Sequence, residues 1–167
     1  MQKGKRLATS TRLVPIKKFQ PHGCIDIWME GDLLYYEATG PFNTELVDAL
    51  AVAQADILKN ITATRPWASI SCVKQCVLMS PDAMTRYAEI MRIPKPEGKT
   101  PVATAFVIGP EVEGRDIVAP HFVKIYADIE RPMQIFETLE DAKRWAQDMI
   151  AGALSRDNEN AAIAPVK

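Results

Sequence analysis

Long hydrophobic runs are missing from this sequence. The most apolar segment, Val102 to Gly109, is far shorter than the ~18 to 20 residues needed to cross a bilayer, which excludes a protein built on membrane-spanning helices. Cysteine is scarce, at 3 residues, and histidine scarcer, at 2. That excludes a disulfide framework, and an odd cysteine count with no export signal points to reduced thiols in the cytoplasm. Cys72 and Cys76 are four residues apart, but no Cys-x-x-Cys accompanies them, and Cys24, His22 and His121 stand alone. No metal site is expected. Charge of one sign is also lacking. Against 20 Lys plus Arg stand 21 Asp plus Glu, a net charge of −1, so no global field draws nucleic acid or an anionic membrane. Gly-x-Gly-x-x-Gly, Gly-x-x-x-x-Gly-Lys-Ser/Thr and Gly-x-Ser-x-Gly are all absent. The common nucleotide-binding and hydrolase mechanisms lose their usual support, so neither a cofactor nor an enzyme is expected.

What is present suits one compact domain. A chain of 167 residues with 47% hydrophobic content buries roughly two-thirds of its unfolded surface without staples. Residues 1–22 form a basic arm carrying Lys3, Lys5, Arg6, Arg12, Lys17 and Lys18 and no acid, interrupted by Pro15 and Pro21. The cations break any apolar stretch, so no secretory leader is expected. Ser and Thr interleave them instead of stacking aromatics, which favours a flexible, solvated arm over a nucleic-acid contact. The domain proper spans 23–151, and the polar, alanine-rich stretch 152–167 reads as a disordered tail.

Within the domain the period of the apolar positions sets the elements. Ile25, Ile27 and Met29 alternate with polar or aromatic neighbours, and after the Gly31-Asp32 turn the run Leu33 to Thr39 resumes, predicting a β-hairpin. Asn43 caps a helix with Leu46, Ala49, Leu50, Ala53 and Ile57 on one face. A strand of small residues follows over 67–73. Ser80-Pro81-Asp82 then combines a capping hydroxyl, proline at the first position and an early acid, the start of a helix running to about Arg92. Pro94, Pro96 and Gly98 with Lys95, Glu97 and Lys99 mark an exposed connection, and 101–109 reads as a central strand. Between Pro110 and Glu130 a helix is expected that Pro120 begins or bends. Met133 to Phe136 is a last short strand. Thr138 and Asp141 form a capping-box-like start to a helix facing inward through Ala142, Trp145, Ala146, Met149 and Ile150. The expected fold is α/β: a single mixed sheet of about five strands flanked by about four helices. Trp28, Tyr35, Tyr36, Trp67 and Trp145 sit on these elements as packing residues rather than as a ligand-stacking set.

Residues 24–151 resemble the STAS domain (sulphate transporter and anti-sigma-factor antagonist), in particular its stand-alone SpoIIAA-like bacterial branch. Three features carry the resemblance: the hairpin exit Glu37-Ala38-Thr39-Gly40-Pro41-Phe42, the strand Ile70-Ser71-Cys72-Val73 followed by Val77-Leu78-Met79-Ser80, and the closing run from Met133 through Phe136, Thr138, Glu140 and Ala142 to Trp145. In the antagonist members the loop reads Asp-Ser-Ser-Gly and a kinase phosphorylates its first serine. Here the positions are Met79, Ser80, Pro81 and Asp82, and only the serine survives. Pro81 removes an amide that would bind phosphate and Asp82 adds a like charge, which favours Ser80 as a helix cap over a phosphorylation switch.

The resemblance implies a non-enzymatic cytoplasmic regulatory module that binds an unidentified protein partner around Met79, Ser80, Asp82, Ala83 and Arg86. The alternative is a binder of a small apolar ligand or lipid, because STAS-like folds also resemble the lipid-binding Sec14 type and helices over a sheet leave room for a cleft. A homodimer through an exposed edge at Ile25 to Met29 is a further expectation.

Overall fold

The computed structural model of the protein describes residues 7–15, 19–62 and 64–163. It contains strands β1 (Ala8–Ser10), β2 (Cys24–Glu30), β3 (Leu33–Thr39), β4 (Ala68–Lys74), β5 (Thr104–Ile108) and β6 (Met133–Phe136), with helices α1 (Thr44–Lys59), α2 (Pro81–Arg92), α3 (Arg115–Asp128) and α4 (Leu139–Ile163). The strands lie side by side in chain order. β1, β2 and β3 pair antiparallel, and β3 through β6 are parallel. Each parallel step moves the same way across the sheet, so three right-handed crossovers lay α1, α2 and α3 on one face. The opposite face is left to α4, which folds back over β4, β5 and β6.

Strand alternation divides the core accordingly. From β3, Leu34, Tyr36 and Ala38 join Leu46, Tyr87 and Phe122 in the core beneath α1–α3. Leu33 and Tyr35 point the other way, where Ile70, Ala105, Ala142 and Ala146 pack together. Alanine on both partners lets α4 lie close to the sheet, and Ala105, Ala142 and Ala146 are fully buried. Lys143 places its ammonium 5.5 Å from the Tyr35 ring centre, and Tyr35 in turn stacks on Trp28.

The helix starts follow from their caps. Asn43 Oδ1 accepts from the Leu46 amide at 3.1 Å and from the His22 amide at 2.8 Å, so one carboxamide starts α1 and ties down the preceding chain. Ser80 Oγ accepts from the Ala83 amide at 3.2 Å. Thr138 Oγ1 accepts from the Asp141 amide but donates to the Asp141 carboxylate at 2.8 Å, because the short Asp side chain meets the hydroxyl instead of the cap's own amide.

Several expectations are corrected. The sheet has six strands rather than about five, because residues 8–10, placed by sequence in a flexible arm, pair with β2. Thr11 is buried behind them and accepts from the Ile25 amide at 2.9 Å. The Ile25 to Met29 strand is therefore covered by β1 and does not border the sheet. Lys3, Lys5, Arg6, Lys17 and Lys18 lie outside the described residues. The helix α4 runs to Ile163, where composition predicts disorder from 152, since the stretch holds helix-favouring Ala, Leu, Arg and Glu and no proline before Pro165. Pro120 does not begin α3; it sits exposed in the helix interior. Lys99 is not a free surface charge, because its ammonium donates to the Leu58 and Ile61 carbonyls at the end of α1.

Candidate functional site

The sequence-derived site residues occupy the start and outer face of α2. Ser80 and Asp82 are exposed, and the Ser80 hydroxyl is the acceptor of the α2 cap. Arg86 reaches from α2 to Asp48 of α1 at 2.7 Å and to Glu89 at 3.3 Å. These acids raise its pKa, the hydrogen bond to Asp48 most of all. Cys76 is buried, and Cys72 is half-buried with its thiol pushed up by desolvation and then by Glu37, away from thiolate reactivity. His22 and His121 are exposed on separate segments, and among the described residues no three His, Cys, Asp or Glu side chains gather into a metal-binding group.

The structure draws a different set of residues together. Between the sheet and α1–α3 lies a cavity of about 80 Å³. Its origin is local. On the face toward α1–α3, β4 carries Ser69 and Ser71 where a large aliphatic residue would otherwise meet the helices, and Ala38 on β3 is equally short. Aromatic rings wall the space. Phe106 stacks on Phe122 at 4.7 Å and meets Tyr126 edge-on at 5.8 Å, while Tyr87 tilts against Phe122 at 5.6 Å.

Polar groups converge at one end. Ser69 Oγ and Thr104 Oγ1 share a hydrogen bond of 2.9 Å, as do the Tyr87 and Tyr126 hydroxyls at 3.0 Å, and Tyr126 donates onward to Met91 Sδ at 3.7 Å. The Tyr36 hydroxyl also lines the cavity, and among the described residues nothing hydrogen-bonds to it although the residue is only 9% exposed. Burial drives all three phenols well away from ionisation. Lys95, from the α2–β5 connection, and Arg131, just before β6, are half-buried at the same cavity. Burial first, and then repulsion from Arg131, lowers Lys95 to about 8. Neither cation forms an ion pair among the described residues, and no carboxylate, imidazole or thiol lines the cavity. A shallower groove of about 340 Å³ between α1 and α2 shares Gln54 and Lys95 with it.

Sequence reasoning missed most of this set. Lys95 reads as part of an exposed loop, and Tyr36 and Trp67 as core; both aromatics line the cavity, with Trp67 Nε1 donating to the Gly98 carbonyl at 2.9 Å. The one sequence signal was the run of small residues on β4, flanked by larger side chains on its neighbours.

No protein-family model and no curated protein matches the sequence. Among solved structures, the chain is similar to an uncharacterized protein of the DUF3478 family with a SpoIIAA-like fold from Shewanella loihica PV-4, at 15% identity and a TM-score of 0.51, covering 79% of this chain and 99% of that one. The likeness shows the fold: a mixed α/β sheet of the SpoIIAA-like kind, as the sequence resemblance implied. No helix among the described residues is long and apolar enough to cross a membrane.

Proposed function

We propose that this SpoIIAA-like chain is a non-enzymatic binder of a small apolar ligand, held between the sheet and helices α1–α3. The observation that carries the reading is the aromatic-walled cavity of about 80 Å³. With one water needing on the order of 10–15 Å³ on this measure, the space suits a ligand body of roughly five to eight non-hydrogen atoms. A mostly apolar concavity with a few fixed polar groups is the usual form of a small-molecule site. Binding fits better than turnover, because the phenols that line the cavity are pushed away from ionisation near neutral pH and no carboxylate, imidazole or thiol among the described residues faces it.

The test is a titration of the labelled protein with 1-hexanol, followed by amide and methyl shifts. Saturable shifts at Tyr36, Phe106 and Tyr126 are expected, and Ala38→Leu, which fills the space from the sheet side, abolishes them. Absence of any saturable shift in the unmutated protein at millimolar hexanol overturns the reading.

A second reading, the partner surface around Ser80, Asp82 and Arg86, draws support from the exposure of Ser80 and Asp82 at the start of α2, next to the Phe42–Met79 bridge. It fails if Ser80→Glu and Arg86→Glu leave the affinity of every identified partner unchanged.

A further inference from the structure

Resting on the ligand-binding reading, we infer that the occupant is an organic monoanion, a carboxylate with a short apolar body, whose charged end lies against Lys95 and Arg131. The argument starts from electrostatic imbalance. Two cations line one small cavity without an acidic partner among the described residues. Half-buried cations left unpaired are costly, and a ligand that brings the missing negative charge removes that cost on binding. The surrounding groups have the same preference. Every polar side chain at this end, Tyr36, Tyr87 and Tyr126 included, is a hydroxyl, an amide or a cation, and none is an acid. A ligand cation would meet Lys95 and Arg131 with nothing to offset them.

These groups form one neighbourhood although they come from five segments of the chain: β3, α2, α3 and two connections. The Arg131 charge acts on Lys95, Tyr87 and Tyr126, and Tyr126 acts on Tyr36. Arg131 is fixed by its own backbone, whose amide donates to the Tyr126 carbonyl at 3.0 Å across the turn at Glu130. Tyr36, whose hydroxyl has no hydrogen-bond partner among the described residues, adds a donor to the lining. The rest of the lining is mostly apolar, with Ala38, Leu46, Val47, Val73 and Val77 beside Phe42 and Met79. The cavity thus has a charged, donor-rich end and an apolar end, the polarity of a small amphiphilic anion. A guanidinium with an ammonium beside it suits the two oxygens of a carboxylate.

The experiment compares three probes of equal chain length at pH 7 by calorimetry and by the amide shifts of Tyr36 and Tyr126: hexanoate, 1-hexanol and hexylammonium. Hexanoate is expected to bind about tenfold or more tightly than hexanol, from charge-assisted hydrogen bonds the alcohol cannot make, and hexylammonium to bind more weakly than either. Arg131→Gln and Lys95→Met each weaken hexanoate by a far larger factor than they weaken hexanol. Should one of these variants not fold, the other, with Tyr36→Phe, carries the comparison. If hexanol binds as tightly as hexanoate, or the variants weaken both equally, the anion inference falls and the cavity reading stands. If none of the three probes shifts the cavity residues, the cavity reading itself falls.

Discussion

Replacing Lys95 with methionine removes a charge that burial disfavours while keeping an unbranched stem to line the cavity, so the variant is expected to be more stable than the parent. The folded chain holds this ammonium at about 8, against 10.5 for an unperturbed lysine. A base whose pKa falls on folding binds fewer protons in the native state than in the unfolded one between those two values. Stability therefore rises with pH across the window from about 8 to 10.5, and below about 8 the penalty is complete. At full burial a drop of this size corresponds to about 3 kcal/mol. Lys95 is only half-buried, and solvent screening reduces the figure to about 1 kcal/mol. Lys95→Met should thus gain about 1 kcal/mol at pH 7, with the gain fading toward zero near pH 10. Burial moves all three cavity phenols upward, which lowers the stability of both proteins alike as pH approaches 10 and cancels in their difference. Urea unfolding of both proteins at several pH values between 6 and 10, read as midpoint and slope, measures the difference directly. A variant no more stable than the parent at pH 7, or a difference independent of pH, would refute the reasoning.

Other substitutions test the frame around the cavity. Asn43→Ala removes the α1 cap together with the bonds to the His22 amide and Gln20 carbonyl; a loss of about 1 to 2 kcal/mol is expected in the same urea assay. Ala146→Leu inserts a branched side chain where α4 meets the sheet with no exposed surface, and should cost about 1 to 3 kcal/mol in thermal or urea unfolding. Ending the chain after Leu154 removes residues 155–167, of which 155–163 are exposed throughout, and should change stability by less than about 0.5 kcal/mol. A larger loss would mean that the end of α4 packs on something the fold does not reveal.

What the sequence discloses and what it hides follow one physical division. Local signals were readable. Asn43, Ser80 and Thr138 cap helices because each is a short polar side chain set ahead of a 3.6-residue apolar stripe, and the hairpin follows from alternation on both sides of Gly31-Asp32. Elements that depend on a distant partner were not. β1 is three residues with no period of its own, ordered by register with β2. The cavity is hidden for the same reason. Tyr87 and Tyr126 are 39 residues apart and meet only after two crossovers, and the character of Lys95 is set by burial first and then by Arg131, which the sequence places in another connection. Ser80 and Arg86 stood out because they sit on a helix start and a helix face, positions that sequence exposes most clearly.

The identity between strand order and chain order governs how this protein leaves the ribosome. Each strand from β2 onward emerges beside a neighbour already made, so the sheet can grow by accretion from one side. Its reverse surface, with Leu33, Tyr35 and Ile70, waits for the very last helix to cover it. A nascent chain stalled before residue 139 would carry a finished front and a bare, sticky back, which makes α4 the closing step of biogenesis and a natural point for chaperones to hold the polypeptide.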